Sequence, residues 1–149
     1  MTVKPHLAAY LYVRFRQCVI SGTIQLPSSS TLYAILGNLT VKRPKNVSWR
    51  ETGNLTFALP APRYGKSPET YNYLGEESKA FIECEIDTLM KMDLYSFLLH
   101  EKIQHGRMYS KSLQSFMTRY HIDDANESAL TKAFQRWLKR RKEERKKEE

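Results

Sequence analysis

Residues 76–105 read EESKAFIECEIDTLMKMDLYSFLLHEKIQH. The stretch contains neither Pro nor Gly, and Gly106 follows it. Phe81, Ile82, Ile86, Leu89, Met90, Leu94, Phe97 and Leu98 recur at helical spacing, the signature of an amphipathic helix. Glu76 and Glu77 stand at its start, where the helix dipole favours acids. The stretch predicts one helix of about 30 residues whose broad apolar face is the spine of the protein.

Toward the C-terminus, Ser110 is placed to cap a second helix. Leu113, Phe116, Met117 and Tyr120 fall at i, i+3, i+4 and i+7 along it, which makes one face apolar. The stretch from His121 to Ala125 is polar apart from Ile122 and reads as a turn. Asp124 and Glu127 have the spacing of a capping box. A third helix then carries Leu130, Phe134, Trp137 and Leu138. It extends into the Lys/Arg/Glu-rich stretch 139–149, the one low-complexity segment.

Toward the N-terminus, residues 7–16 alternate. Leu7, Ala9, Leu11, Val13 and Phe15 would share one face of a strand, and Ala8, Tyr10, Tyr12, Arg14 and Arg16 the other. Leu7, Leu11 and Phe15 also align on a helix, but the strand is preferred. Thr23 to Leu26 is a short apolar piece between Gly22 and Pro27. Ser30 and its neighbours precede Leu32, Leu36 and Leu39, which predicts a capped helix over roughly 31–40. Leu55, Phe57 and Leu59 alternate and predict a strand over about 54–59. Pro60, Pro62, Gly65 and Pro68 make the strongest break in the chain. The expected class is therefore α+β: a small mixed strand/helix region over 1–68, followed by a helical module over 69–149 with a basic last helix.

Composition narrows the function. The chain has 149 residues, enough for one ordinary domain or two very small ones. No apolar run reaches the length of a membrane span. With no basic, apolar leader at the start, a cytoplasmic, reducing location is expected. Cys18 and Cys84 are too few for a disulfide framework or a cysteine zinc site. His6, His100, His105 and His121 fall in no metal-binding spacing with a carboxylate. No phosphate-binding glycine loop and no nucleophile elbow is present, so neither catalytic residues nor a cofactor or metal is expected.

The formal net charge is +8, and it is segregated. Residues 1–68 hold nine bases and one acid, whereas 69–101 hold eight acids and two bases. Residues 102–149 hold thirteen bases and seven acids. A basic balance attracts polyanions, of which phosphate backbones are the commonest in cells.

The last helix concentrates this signal. At 100° per residue, Leu130, Ala133, Phe134, Trp137 and Leu138 cluster on one side, and Lys132, Arg136, Lys139 and Arg140 on the other. Six basic residues and no acid lie between Lys132 and Lys142. Lys132, Arg136, Lys139, Arg140 and Arg141 are the candidates for phosphate contact. Thr131 and Gln135 flank them, and glutamine can read adenine edges. Tyr10, Tyr12, Arg14 and Arg16 form a candidate second surface, able as a strand face to stack and hold single-stranded nucleic acid.

Helix 110–120, a four- or five-residue turn and then a basic helix resemble helix-turn-helix DNA-binding domains, with 76–105 as the third helix. The resemblance covers about residues 76–142. The turn carries His121, Ile122, Asp123 and Asp124 where those domains usually have a Gly. In format, the chain also resembles accessory DNA-binding proteins of phages and mobile elements. These resemblances imply a non-enzymatic DNA-binding protein, a transcription regulator or similar accessory factor, contacting duplex DNA in preference to RNA. A homodimer would bury any surplus of Met90, Met92, Leu94, Phe97 and Leu98 and suit a two-fold site. Two alternatives stand beside this reading. One is a protein–protein adaptor using helix 76–105, and the other is an RNA or single-strand binder using the first strand.

Overall fold

The structure is a computed structural model, and it describes residues 1–47, 53–59 and 67–148. The fold is mixed α+β and mostly helical, with two small two-stranded sheets. The chain divides into two compact units, Met1–Met90 and Lys91–Glu149. The division falls inside the long helix. The Pro- and Gly-rich stretch where the sequence places a boundary lies mostly outside the described residues.

The first unit begins with helix α1 (Pro5–Arg14). This corrects the strand expected over 7–16. Pro5 occupies the first turn, where its missing N–H costs nothing and its fixed φ suits a helix. Ala8, on the polar face of the strand reading, is buried together with Leu7, Tyr10, Leu11 and Phe15. Leu7, Leu11 and Phe15 fit either period; the burial of Ala8 and Tyr10 beside them matches only the helical one.

A hairpin follows. Strand β1 (Val19–Ile20) pairs antiparallel with β2 (Thr23–Ile24). Ser21 and Gly22, at φ 52° and 76°, make the two-residue turn with the left-handed conformations that suit strand twist. Helix α2 (Thr31–Leu39) starts as expected: the Ser30 hydroxyl accepts from the Tyr33 N–H at 3.2 Å. Strand β3 (Val41–Lys42) pairs antiparallel with β4 (Tyr71–Tyr73) across an irregular register.

The strand expected over 54–59 does not form as a regular element. Its backbone bonds are split between two partners. The Leu55 N–H donates to the Met1 carbonyl, and the Ala58 N–H donates to Ile24. Among the described residues, Phe57 alone of this segment makes a β-bridge, with Ile24. Asn54 adds two bonds to the Val3 backbone. The Met1 amino group donates to the Leu55 carbonyl at 2.8 Å, and burial followed by the nearby Lys79 charge lowers its pKa. Trp49 and Arg50 lie outside the described residues.

Helix α3 (Glu76–His105) has the predicted extent. Ile82, Ile86 and Met90 are buried in its first part, and Leu94, Tyr95 and Leu98 in its second. The burial of Leu94 and Leu98 needs no second copy of the chain, whereas Met92 remains exposed. Neither cysteine is paired, and Cys84 is exposed. Among the described residues no helix is long and apolar enough to cross a membrane.

The second unit continues with α4 (Tyr109–Arg119) and α5 (Glu127–Glu148). Ser110 is not the cap of α4; Met108 holds that position and offers no side-chain bond. The capping box expected at Asp124 and Glu127 is also replaced. The Asp123 carboxylate accepts from the Ala125 N–H at 2.8 Å, closing a 3-10 turn over Asp124–Asn126 that leads into α5. A side chain bonding two residues ahead competes with a regular helix start.

The exit from α4 is more telling. His121 takes the left-handed conformation, φ 55°. The Ile122 N–H reaches back to the Met117 carbonyl at 2.9 Å, and the His121 N–H reaches Thr118 at 3.4 Å. Ile122 and Met117 are both buried. This is a Schellman termination with both of its apolar positions buried, held by a residue other than glycine.

His121→Gly is expected to stabilise the second unit by about 0.5–1 kcal/mol, since the left-handed position penalises a Cβ. A thermal melt that shows a lowered midpoint would contradict this. Gly53→Ala tests the first unit. Gly53 sits at φ 111°, and a Cβ there would meet the Met1 carbonyl. The substitution should cost more than about 1 kcal/mol in urea unfolding, and no change would refute this close approach.

Candidate nucleic-acid interface

Helix α5 is held by rings. Phe134 is buried, with its centroid 5.5 Å from Tyr95 and 4.9 Å from Tyr109, the latter edge-on. Trp137 lies 4.8 Å from Tyr95 and 5.9 Å from Phe134. Tyr95 belongs to the second half of α3 and Tyr109 opens α4, so this one cluster ties the three helices of the unit together. Each such pair contributes about 0.5–1.5 kcal/mol beyond the area it buries. Leu130 and Ala133 extend the buried stripe.

Pinning that stripe sets the rotation of the whole helix. Lys132, Gln135, Arg136, Lys139, Arg140 and Lys142 are exposed on the other side. Among the described residues, no cation from Lys132 to Lys142 pairs with a carboxylate. The ion pairs Lys139–Glu143 and Arg140–Glu144, which would make an ordinary solvated helix face, are absent from that set. Like charges at i,i+4, such as Lys132 with Arg136 and Arg136 with Arg140, destabilise an isolated helix. Here the aromatic anchor offsets that repulsion.

Two of the seven residues that the sequence singles out stand apart. The Arg141 guanidinium lies 4.8 Å from the Trp137 ring centre and is half-buried there. Arg141 follows Trp137 by one turn, so it shares the anchored stripe and makes a cation–π contact. Thr131 is also half-buried, and its hydroxyl donates to the Glu127 carbonyl at 2.9 Å. Lys132, Gln135, Arg136, Lys139 and Arg140 remain as one exposed face.

The second surface does not form. Its four residues share a face only on a strand, and the segment is a helix. Tyr10 is fully buried. The Tyr12 hydroxyl donates to the Gly22 carbonyl at 2.8 Å and accepts from the Thr56 N–H at 3.2 Å, tying α1 to its neighbours in the first unit. Arg14 and Arg16 are exposed, and Arg14 lies over the Phe15 ring. A fully buried tyrosine cannot stack a base.

The histidines show no metal-binding spacing in the sequence, yet one cluster gathers potential ligands. Ligand atoms of His100, Glu101 and His105 lie within 4.8 Å of one another at the end of α3. Glu101 and His105 are one turn apart, which is the signal available in the sequence. Arg107 Nη1 already holds Glu101 Oε2 at 3.4 Å. That guanidinium both engages the carboxylate and repels a cation.

Comparison with protein families, curated proteins and solved structures finds no match to this chain.

Phe134→Ala is expected to destabilise the second unit by about 3–5 kcal/mol, the usual cost of emptying a buried aromatic site. Urea unfolding checks it. A midpoint like that of the unaltered protein would show that α5 is not held by this cluster.

Proposed function

We propose that the protein is a non-enzymatic nucleic-acid-binding protein, and that α5 lays its cationic face along the phosphate backbone of duplex DNA. One observation carries the reading: an acid-free run of cations faces solvent on a helix whose opposite side is anchored. Surface charges that serve only for solubility are usually interspersed with acids. Cations left without partners gain most from a polyanion, because binding releases the counterions condensed on it.

Lys132, Arg136, Lys139 and Arg140 neutralise phosphates in this proposal, and Gln135 is the candidate for a base contact. Asp123, Asp124 and Glu127 crowd the entry to α5. They repel phosphates and shift binding to the middle of the helix. The proposed docking therefore differs from that of helix-turn-helix readers, which present the N-terminal end of the recognition helix. A role in transcription regulation or in a mobile element belongs to the same proposal, resting on resemblance of format.

A second reading is a protein–protein adaptor. Phe81 and Met92 of α3 are about half exposed, at 50% and 53%. Heparin retention and a high 260/280 ratio after purification favour the nucleic-acid reading; their absence favours the adaptor.

The direct test is Arg136→Ala with Arg140→Ala, titrated against labelled duplex by fluorescence anisotropy. Affinity should fall. The slope of log affinity on log salt should shrink by about 0.9 for each phosphate no longer neutralised. Unchanged affinity and slope would overturn the assignment of α5.

A further inference from the structure

Helix α4 presents a second cationic surface. It buries Ser112, Leu113, Phe116 and Met117. The other side, with the residues that follow α3, forms an open groove of about 970 Å³. Its polar lining includes Arg107, Lys111, Gln114, Ser115, Thr118 and Arg119. Among the described residues no acid lines it, and α4 itself contains none. Among the described residues, neither Lys111 nor Arg119 has a carboxylate partner. Arg107 engages Glu101 through Nη1, so the rest of its guanidinium is left for a ligand.

The spacing tells what kind of anion fits. Lys111, Gln114, Ser115 and Thr118 fall at i, i+3, i+4 and i+7, with Arg119 beside the last. Lys111 and Arg119 stand eight residues apart, or ~12 Å along the axis. One phosphate cannot bridge that distance, whereas it equals about three to four base-pair steps of a duplex strand. The hydroxyls and the amide between the two cations are groups that commonly bond phosphate and sugar oxygens. The groove is open, with no buried cation to cage a small anion, and a row of phosphates suits it better than a single ion.

We infer that this groove is a second binding site for a nucleic-acid backbone, holding a phosphate strand between Lys111 and Arg119. The inference rests on the proposed function of the unit but uses different residues. A double substitution, Lys111→Ala with Arg119→Ala, should weaken duplex binding and lower the salt slope by about 1–2, as one or two phosphates go without a cation. Both positions are exposed, so the melting temperature should be retained. The swap Lys111→Arg with Arg119→Lys should keep the slope. A charge-matched control, Lys4→Ala with Lys45→Ala in the first unit, should keep it too.

The outcomes separate groove from helix. If Lys111→Ala with Arg119→Ala keeps the full slope while Arg136→Ala with Arg140→Ala reduces it, the groove is refuted and α5 stands. If only the groove variant reduces the slope, the groove stands and the assignment of α5 falls. If neither variant changes it, both are refuted. A reduction equal to that of the Lys4/Lys45 control makes the groove effect one of bulk charge and overturns the inference.

Discussion

The packing of Phe134 and Trp137 against Tyr95 is the constraint on which the second unit depends. A helix has one rotational freedom about its axis, and burying Phe134 while half-burying Trp137 removes it. Every other residue of α5 then has a fixed direction. Lys132, Arg136, Lys139 and Arg140 face water because Leu130, Ala133 and Phe134 do not. The magnitudes favour this order of cause. Emptying a buried aromatic site costs several kcal/mol, whereas exposed charge pairs contribute about 0–1 kcal/mol. The core decides the orientation and the charges follow.

The same logic places the groove on α4. Leu113, Phe116 and Met117 seat that helix, and its acid-free side is left outward. The Schellman turn at His121 and the Asp123-capped 3-10 turn join α4 to α5 without a glycine. Both cationic surfaces therefore stand on helices whose opposite faces are packed and whose shared junction is tied. Binding to a phosphate backbone benefits from such rigidity, because fewer side chains and segments must be ordered.

Much of this architecture is legible in the sequence. The long helix shows itself through an unbroken 3.6-residue period ending at Gly106. Ser30 announces α2, and the opposed faces of α5 follow from residue spacing alone. The differences have physical sources. Residues 7–16 satisfy two periods at once, and the tie is broken by Pro5 and the burial of Ala8, neither of which outweighs alternation on paper. The segment around Leu55 looks like a strand because it alternates, yet its backbone partners come from Met1 and Ile24, far apart in the chain. Asp124 and Glu127 have capping-box spacing, but Asp123 bonds locally first. In the candidate site, Arg141 carries the right charge but shares a stripe with Trp137. Residue type alone does not reveal that pairing; helical position does. The α4 groove is hard to see in the sequence because its cations are sparse, and only the terminus of α3 brings Arg107 beside them.

The most direct measurement of the central claim is a lysine-acylation footprint read by mass spectrometry, with and without saturating duplex DNA. Outward-facing cations that engage a phosphate backbone predict rapid acylation of Lys132 and Lys139 in the free protein and strong protection in the complex, with Lys4 equally reactive in both. Slow acylation of those two lysines in the free protein, or the same rate with and without DNA, would contradict the account.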